Sequence, residues 1–305
     1  MNPMKNSKRK MSSIEKKYMA VGFLFLLPAI VTYLIFAVIP FFDSLLLSFQ
    51  EWGGFGPRVF IGIKNYLQAF RDRTFLLAIR NSVYLGVVSA FFSVLIGVFM
   101  AWLLLYVGRK WGGFFRTILF SPSMIPAIIT AFIFAFVFEP EIGVLNNILG
   151  VVGLKSLQHA WLTNKATALN CILFVSAWKQ IGLTMVLCFA GMQGIDSSLI
   201  ESARLDGASD FQIFRRIILP LIMSFVQLST IFAVMSGLKI YDTVVALTNG
   251  GPAKSTIVMP LWILQNSFSF NNYGYGSAMS MIFVLIVLIG MIVTKKLIRG
   301  SDYER

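Results

Sequence analysis

Hydrophobic positions along this chain gather into six runs, each long enough to cross about 30 Å of hydrocarbon, which about 20 helical residues span. They cover residues 18–42, 82–108, 117–138, 168–192, 217–238 and 277–294. Each run predicts a membrane-crossing helix, and an even number of crossings puts both termini on the same side. The polar stretches between them alternate across the bilayer.

The basic residues assign the sides. Lys5, Lys8, Arg9, Lys10, Lys16 and Lys17 precede the first run; Arg109, Lys110 and Arg116 lie between the second and third. Arg204, Arg215 and Arg216 lie between the fourth and fifth, and Lys295, Lys296, Arg299 and Arg305 follow the sixth. Sixteen of the 26 lysines and arginines therefore fall on one side, which the positive-inside rule makes cytoplasmic. Arg58, Lys64, Arg71, Arg73, Arg80, Lys155, Lys165 and Lys254 fall on the other. A basic head before an apolar run also describes a secretory signal. The first run is about 24 residues long, holds Pro28 and Pro40 and lacks a small-x-small cleavage site, so an uncleaved span is expected.

Composition agrees with a membrane chain. Hydrophobic residues make up 57% and charged residues only 13%, about half the charged share of an average soluble domain. The formal charge of +13 points to anionic lipid headgroups; no basic face for nucleic acid is visible, and no nucleic-acid partner is expected. One histidine, His159, and two cysteines cannot assemble the usual zinc site or a disulfide framework. Cys171 and Cys188 share the fourth run, about 25 Å apart at 1.5 Å per residue, and read as packing residues. His159 reads as an ordinary exposed or interfacial imidazole.

Two outer segments, 43–77 and 139–167, are longer than turns. The first carries Trp52, Gly53, Gly54 and Pro57 before a helical-looking 65–75, and the second an amphipathic 144–154. Each either covers a pathway or docks a partner, or lies along the membrane surface. Neither holds a hydrolytic constellation.

The cytoplasmic segment 193–220 is the most informative. Ser198 with Glu201 has capping-box spacing, Ser209 with Gln212 repeats it, and Gly207 between them can take the left-handed conformation that ends a helix. The reading is helix, tight turn, helix, then entry into the fifth span at Pro220. Ala203, Gly207 and Ala208 would let another backbone approach, with Glu201, Arg204 and Asp206 at the edges. Such a knob suits a groove on a cytoplasmic protein; an ordinary solvated loop is the alternative.

Here the chain resembles the EAA loop of permease subunits in binding-protein-dependent ABC importers, whose pattern is approximately E-A-A-x-x-D-G-A and, some nine residues on, I-x-L-P. Glu201, Ser202, Ala203, Asp206, Gly207 and Ala208 match it, followed by Ile217, Leu219 and Pro220. Ser202 replaces an alanine, and Asp196 stands where many sugar permeases have proline; serine is still small, and aspartate can cap a helix. The stretches F-I-G-I-K-N-Y at 60–66, G-V-L-N-N-I-L at 143–149, Trp178, Lys179 and Gly182, and Y-D-T-V-V-A-L-T-N-G-G-P at 241–252 resemble the carbohydrate branch of that family, of the MalF type. The resemblance spans about residues 20–296.

It implies an all-α integral membrane protein with six transmembrane helices and a helix-turn-helix coupling loop. The basic N-terminus 1–17 and the tail 297–305 would flank a transmembrane domain at 18–296. The chain would be a multi-pass subunit of the bacterial inner membrane with both termini cytoplasmic, paired with a second permease and served by an extracellular or periplasmic solute-binding protein that delivers a sugar. Glu201, Ser202, Ala203, Arg204, Asp206, Gly207 and Ala208 would seat in a cleft of a separate ATPase, one of two ATP-binding subunits. ATP and magnesium would sit on those subunits, and no cofactor on this chain. The chain has no G-x-x-x-x-G-K-[ST] phosphate loop, so it is not itself expected to hydrolyse ATP.

Polar residues within apolar runs are candidates for the solute pathway. They are Trp178, Lys179 and Gln180 on the fourth run, Gln227, Ser229 and Thr230 on the fifth, and Lys239, Tyr241 and Asp242 at its outer end. Lys239 and Asp242, three apart, could pair on one helical face. Trp178 and Tyr241 could offer aromatic faces to a sugar. The other reading is that these groups join helices by hydrogen bonds. Rival functions are a membrane-embedded enzyme, which would need convergent nucleophiles or acids within the spans, and a non-catalytic channel or receptor subunit. Within the importer class, a polyol, glycerol phosphate or peptide remains open as the solute.

Overall fold

The structure, a computed structural model, describes residues 13–298, so Lys5, Lys8, Arg9, Lys10, Arg299 and Arg305 of the charge count lie outside the described residues, as do the outer parts of the 1–17 and 297–305 segments. In chain order, α1 (Ser13–Tyr33) runs through a π-helical turn into α2 (Ile39–Leu47). A two-residue antiparallel pair follows, β1 (Gln50–Glu51) with β2 (Val59–Phe60), Gln50 opposite Phe60. Next come α3 (Lys64–Arg71), α4 (Arg73–Leu104), α5 (Arg109–Met124), α6 (Ala127–Val137), α7 (Val144–Val151) and α8 (Ala168–Gln193). The rest is α9 (Ser197–Leu205), α10 (Asp210–Ile213), α11 (Leu219–Leu221), α12 (Met223–Leu238), α13 (Asp242–Leu247), α14 (Met259–Leu264) and α15 (Tyr273–Leu297).

Among the described residues four helices are long and apolar enough to cross a membrane: Lys17–Leu47, Arg73–Leu104, Ala168–Gln193 and Tyr273–Leu297. The other two expected spans are bent. Residues 117–138 do not form one rod: α5 and α6 meet at 96°. Pro126 lacks an N–H and disfavours helical geometry at the residue before it, and Ile125 is accordingly extended, with ψ 130°. Residues 217–238 are likewise broken at Ile222 (φ −92°, ψ 8°), where Asp210–Leu221 and Met223–Leu238 meet at 72°. Counting each bent pair as one gives six.

Other boundaries move as well. The second helix begins at Arg73, nine residues before 82, because Asp72 caps it. Asp72 is extended (ψ 104°) and its carboxylate accepts from Thr74 N–H at 2.8 Å, which splits the helix expected at 65–75 into α3 and the start of α4. The sixth run extends outward to Tyr273 and Leu297.

The helices meet along small side chains. On α4, Ser82, Gly86, Ser89, Ser93 and Gly97 recur at three- and four-residue steps and are all buried. Apolar side chains gain nothing by leaving lipid for a neighbouring helix, so close packing along such a stripe is what favours association. One buried cluster contains Phe75, Leu85, Ile172, Ile257, Met259 and Met279, and a second, at the 194–213 end, contains Val98, Met185, Cys188, Ile213, Ile218 and Ile222. Cys171 and Cys188 are both buried and free, on α8.

At the end opposite the 194–213 turn, buried polar side chains tie loops to helices. Asn81 donates to the carbonyls of Ser255 and Ile257, both at 2.9 Å, and Ser82 accepts from Met259 N–H at 2.9 Å. Asp72 also accepts from Trp262 Nε1 at 2.8 Å and from the Tyr275 hydroxyl at 3.0 Å. Asn146 donates to the carbonyls of Pro140 and His159 and accepts from Trp161 Nε1, closing the 139–167 segment on itself. His159 is exposed, its ring edge-on to Trp161.

Candidate functional site

Two places gather the residues singled out above: the turn between α9 and α10, and a cavity between the broken helices.

At the turn, α9 is capped by Asp196, whose carboxylate accepts from Ser198 N–H at 3.0 Å. The expected pairing of Ser198 with Glu201 does not form, since the helix begins at Ser197 and Ser198 lies inside it. The N–H bond from Ser198 holds the Asp196 carboxyl below its ordinary value. At the far end Gly207 takes φ +82°. Its N–H reaches Arg204 O, and Ala208 N–H reaches Ala203 O, both at 3.0 Å, which is the paired bonding of a Schellman turn. The Ser209–Gln212 capping box expected from spacing is present: Ser209 N–H donates to Gln212 Oε1 at 2.8 Å and Gln212 N–H to Ser209 Oγ at 3.3 Å. Arg204 clips the helices together through Asp210 at 3.1 Å. The second helix is one turn long and passes through a π-helical turn at Phe214–Ile218 before Pro220.

Glu201, Ser202, Asp206 and Gly207 are exposed; Ala203 and Ala208 are half-buried against Ile213 and its neighbours. A cavity of about 300 Å³ lies beneath the turn, lined by Asp206, Gly207, Ala208, Gln212, Ile213, Arg216 and Ile217. Glu201 and Asp206 thus present carboxylates that form no ion pair among the described residues, around a side chain the motif reading passed over. Leu205 is 89% exposed at the helix end. An apolar residue between the motif's charged positions was the available signal.

The second place is a cavity of about 390 Å³ where two chain breaks converge on the unbroken α8. Ser123 and Ala127 flank the α5–α6 break; Ser176, Lys179, Gln180 and Leu183 face it from α8; Ser236, Lys239, Ile240, Tyr241, Asp242 and Thr243 come from the α12–α13 junction. Of the pathway candidates, Lys179, Gln180, Lys239, Tyr241 and Asp242 are brought together here. Lys239 and Asp242 do not share a helical face, because α12 ends at Leu238 and α13 starts at Asp242, and no ion pair joins them. Lys179 instead donates to Ile125 O at 2.5 Å.

The other four candidates lie elsewhere. Trp178 packs edge-on against Phe134, ring centroids 5.2 Å apart, and is absent from the cavity lining. Gln227 donates to the carbonyls of Lys295 and Ile298, satisfying the last turn of α15. Ser229 and Thr230 both donate to Val226 O within their own helix. Sequence reading missed Ser123, Ser176 and Ser236, which only the breaks turn toward one space. Pro122 and Pro126, four residues apart within an apolar run, were the clue.

Hydroxyls, an amide, a phenol, two ammonium groups and one carboxylate suit hydrogen bonding to a hydroxylated solute. Among the described residues no group of three histidine, cysteine or acidic side chains could hold a metal ion.

A family described as the binding-protein-dependent transport system inner membrane component matches residues 93–302. Among curated relatives, the probable ABC transporter permease protein YurN of Bacillus subtilis is 34% identical, the match covering 93% of this chain and 98% of that one. The trehalose/maltose transport system permease protein MalF of Thermococcus litoralis is 30% identical, covering 93% and 96%. A chain of a bacterial alginate ABC transporter, solved in complex with alginate pentasaccharide-bound periplasmic protein, shares the fold with TM-score 0.80 at 22% identity, covering 93% and 95%.

Proposed function

The chain belongs to the family of binding-protein-dependent transport system inner membrane components, and on that premise we propose that it is a permease subunit of an ATP-driven importer for a sugar or oligosaccharide. It crosses the inner membrane six times, the two bent pairs each counting as one span, with both termini in the cytoplasm. A second permease completes the pathway, two ATP-binding subunits carry ATP and magnesium, and a solute-binding protein delivers the sugar from outside.

In this reading Glu201, Ser202, Ala203, Arg204, Leu205, Asp206, Gly207 and Ala208 form the contact with an ATPase. The Schellman turn fixes their backbone locally while the π-helical turn after it joins the contact to the bent fifth span, so a push on the turn is delivered to the α11–α12 break. Lys179, Gln180, Lys239, Tyr241 and Asp242 line the solute's route. The observation that carries the proposal is the pre-formed, outward-presented turn at 203–208 on a chain that matches permeases along nearly its whole length.

The test is ATP-dependent uptake by vesicles holding this chain with its partner permease, ATPases and binding protein, assayed against a panel of oligosaccharides. Uptake of at least one of them that ceases without ATP is expected. Uptake of none, with a binding protein that retains only a non-carbohydrate solute, would sink the sugar assignment. An intact complex lacking any ATPase would sink the importer reading itself.

A further inference from the structure

The 96° bend between α5 and α6 leaves backbone carbonyls without helical partners inside an apolar region, where an unsatisfied polar group costs several kcal/mol. Ile125 O sits at that break, and Pro126 next to it has no N–H to offer any neighbour. The group that satisfies Ile125 O comes from another helix: Lys179 Nζ on α8, at 2.5 Å. Asp242 lines the same cavity, yet Lys179 forms no ion pair with it or with any other described carboxylate. The Asp242 charge acts on the ammonium across the cavity, but the direct contact Lys179 makes is with the broken backbone.

The neighbouring packing fixes where that ammonium can reach. Three residues along α8, Gly182 lies so close to α5 that a Cβ there would meet Leu119 O at 2.6 Å and Phe120 Cα at 2.9 Å. The backbones of α8 and α5 are therefore in contact beside Lys179, which gives the lysine a fixed base from which to hold the far side of the break.

We propose that Lys179 is a positioning residue: by donating to the Ile125 carbonyl it holds the bend of the third apolar segment, and with it the wall of the cavity between Ser123 and Ala127. This rests on the reading of that cavity as the solute route. Pro126 keeps the segment broken, and Lys179 fixes its angle: without the donor the stranded carbonyl turns toward another partner, the angle between α5 and α6 opens, and Ala127 moves out of the cavity wall.

The bend is measurable. Spin labels at Phe114 and Phe136, both exposed, would go on the assembled complex in nanodiscs with Cys171 and Cys188 replaced by alanine. At 1.5 Å per residue they should lie about 22 Å apart for the bent pair and about 33 Å apart if the halves became collinear. Lys179→Met, which keeps the side-chain length and removes the donor, should shift the distance toward the longer value and lower uptake by roughly tenfold or more, as expected for loss of a charged donor. Lys179→Arg should keep the short distance and most of the uptake. Should the methionine variant fail to assemble, Lys179→Gln, a shorter neutral donor, is expected to lie between the two.

An unchanged distance in Lys179→Met overturns the proposal even if uptake falls, since the lysine would then act on the solute directly. A lengthened distance with normal uptake overturns it too. If the unsubstituted complex imports no sugar, the functional reading fails, while the distance still decides whether Lys179 holds the bend.

Discussion

Within the turn at 194–213, the side-chain bonds span two, three and six residues: Asp196 to Ser198, Ser209 to Gln212, and Arg204 to Asp210. At the opposite end of the bundle, Asp72 reaches partners 190 and 203 positions away, and Asn81 reaches partners 174 and 176 away. The first region is specified by its own short sequence and can shift as a unit without breaking its internal bonds. The second exists only once α4, α14 and α15 have come together, and a displacement among them breaks buried or part-buried hydrogen bonds. On the proposed function, the part that would receive force and the part that would resist it thus differ in the sequence separation of their contacts.

Substitutions at the two ends should therefore fail differently. The largest loss of stability is expected from Asp72→Ala, which removes a helix cap and strands the Trp262 and Tyr275 donors. Roughly 3 kcal/mol or more should be lost, read as a lowered thermal midpoint of the purified complex. If that midpoint does not move, the opposite end is not held by its long-range bonds.

At the turn, Gly207→Val should add only about 1–2 kcal/mol of local strain, since φ +82° suits no β-branched residue and open space surrounds the position. Its main effect should be on solute imported per ATP hydrolysed, with Gly207→Asn milder because asparagine tolerates that φ. Normal coupling in Gly207→Val would remove the turn from the force path.

Leu205→Ala should change stability by no more than about 0.5 kcal/mol, because the side chain touches solvent, yet weaken ATPase association by about tenfold in a titrated pull-down. An unaltered association would leave the exposed leucine without a role in the contact.

The smallest effect concerns pH. The Asp196 carboxyl is held below its ordinary value by the Ser198 N–H. Its capping contribution is therefore complete above that ordinary value of 3.8 and lost only as pH falls through the lower folded one. Amide exchange in α9 should show no cap-dependent change between pH 5 and 8; fraying within that window would show that another group holds the helix start.

The same contrast explains what could be read from residues alone. Gly207, Ser209 and Gln212 carry their structural instructions within a few positions, so the second capping box and the left-handed turn were legible. Ser198 misled because serine at capping-box spacing competes with an aspartate two residues earlier, and the ionised carboxylate makes the stronger bond. The apolar runs predicted helices in the right places, but hydropathy carries no information about direction. The bend at Ile125 follows from Pro126 acting on the residue before it, whereas the break at Ile222 comes two residues after Pro220, where no such local rule applies. Lys179 and Asp242 looked alike as polar residues near apolar runs. Only the folded chain distinguishes the one that bonds Ile125 O from the one that faces the open cavity. Gln227, Ser229 and Thr230 were indistinguishable from them in sequence, because a polar side chain satisfying a nearby carbonyl and one awaiting a solute have the same composition.

The first apolar helix has none of its most hydrophobic stretch buried among the described residues, and it meets the body near one end, where α2 packs on α15 and Asp43 pairs with Arg58 at 2.7 Å. In water such a bare rod would collapse onto its neighbours, but hydrocarbon wets leucine and phenylalanine as readily as another helix does. It behaves like an outrigger lashed at one end, its bare length left to the hydrocarbon and apart from the hull's internal joints.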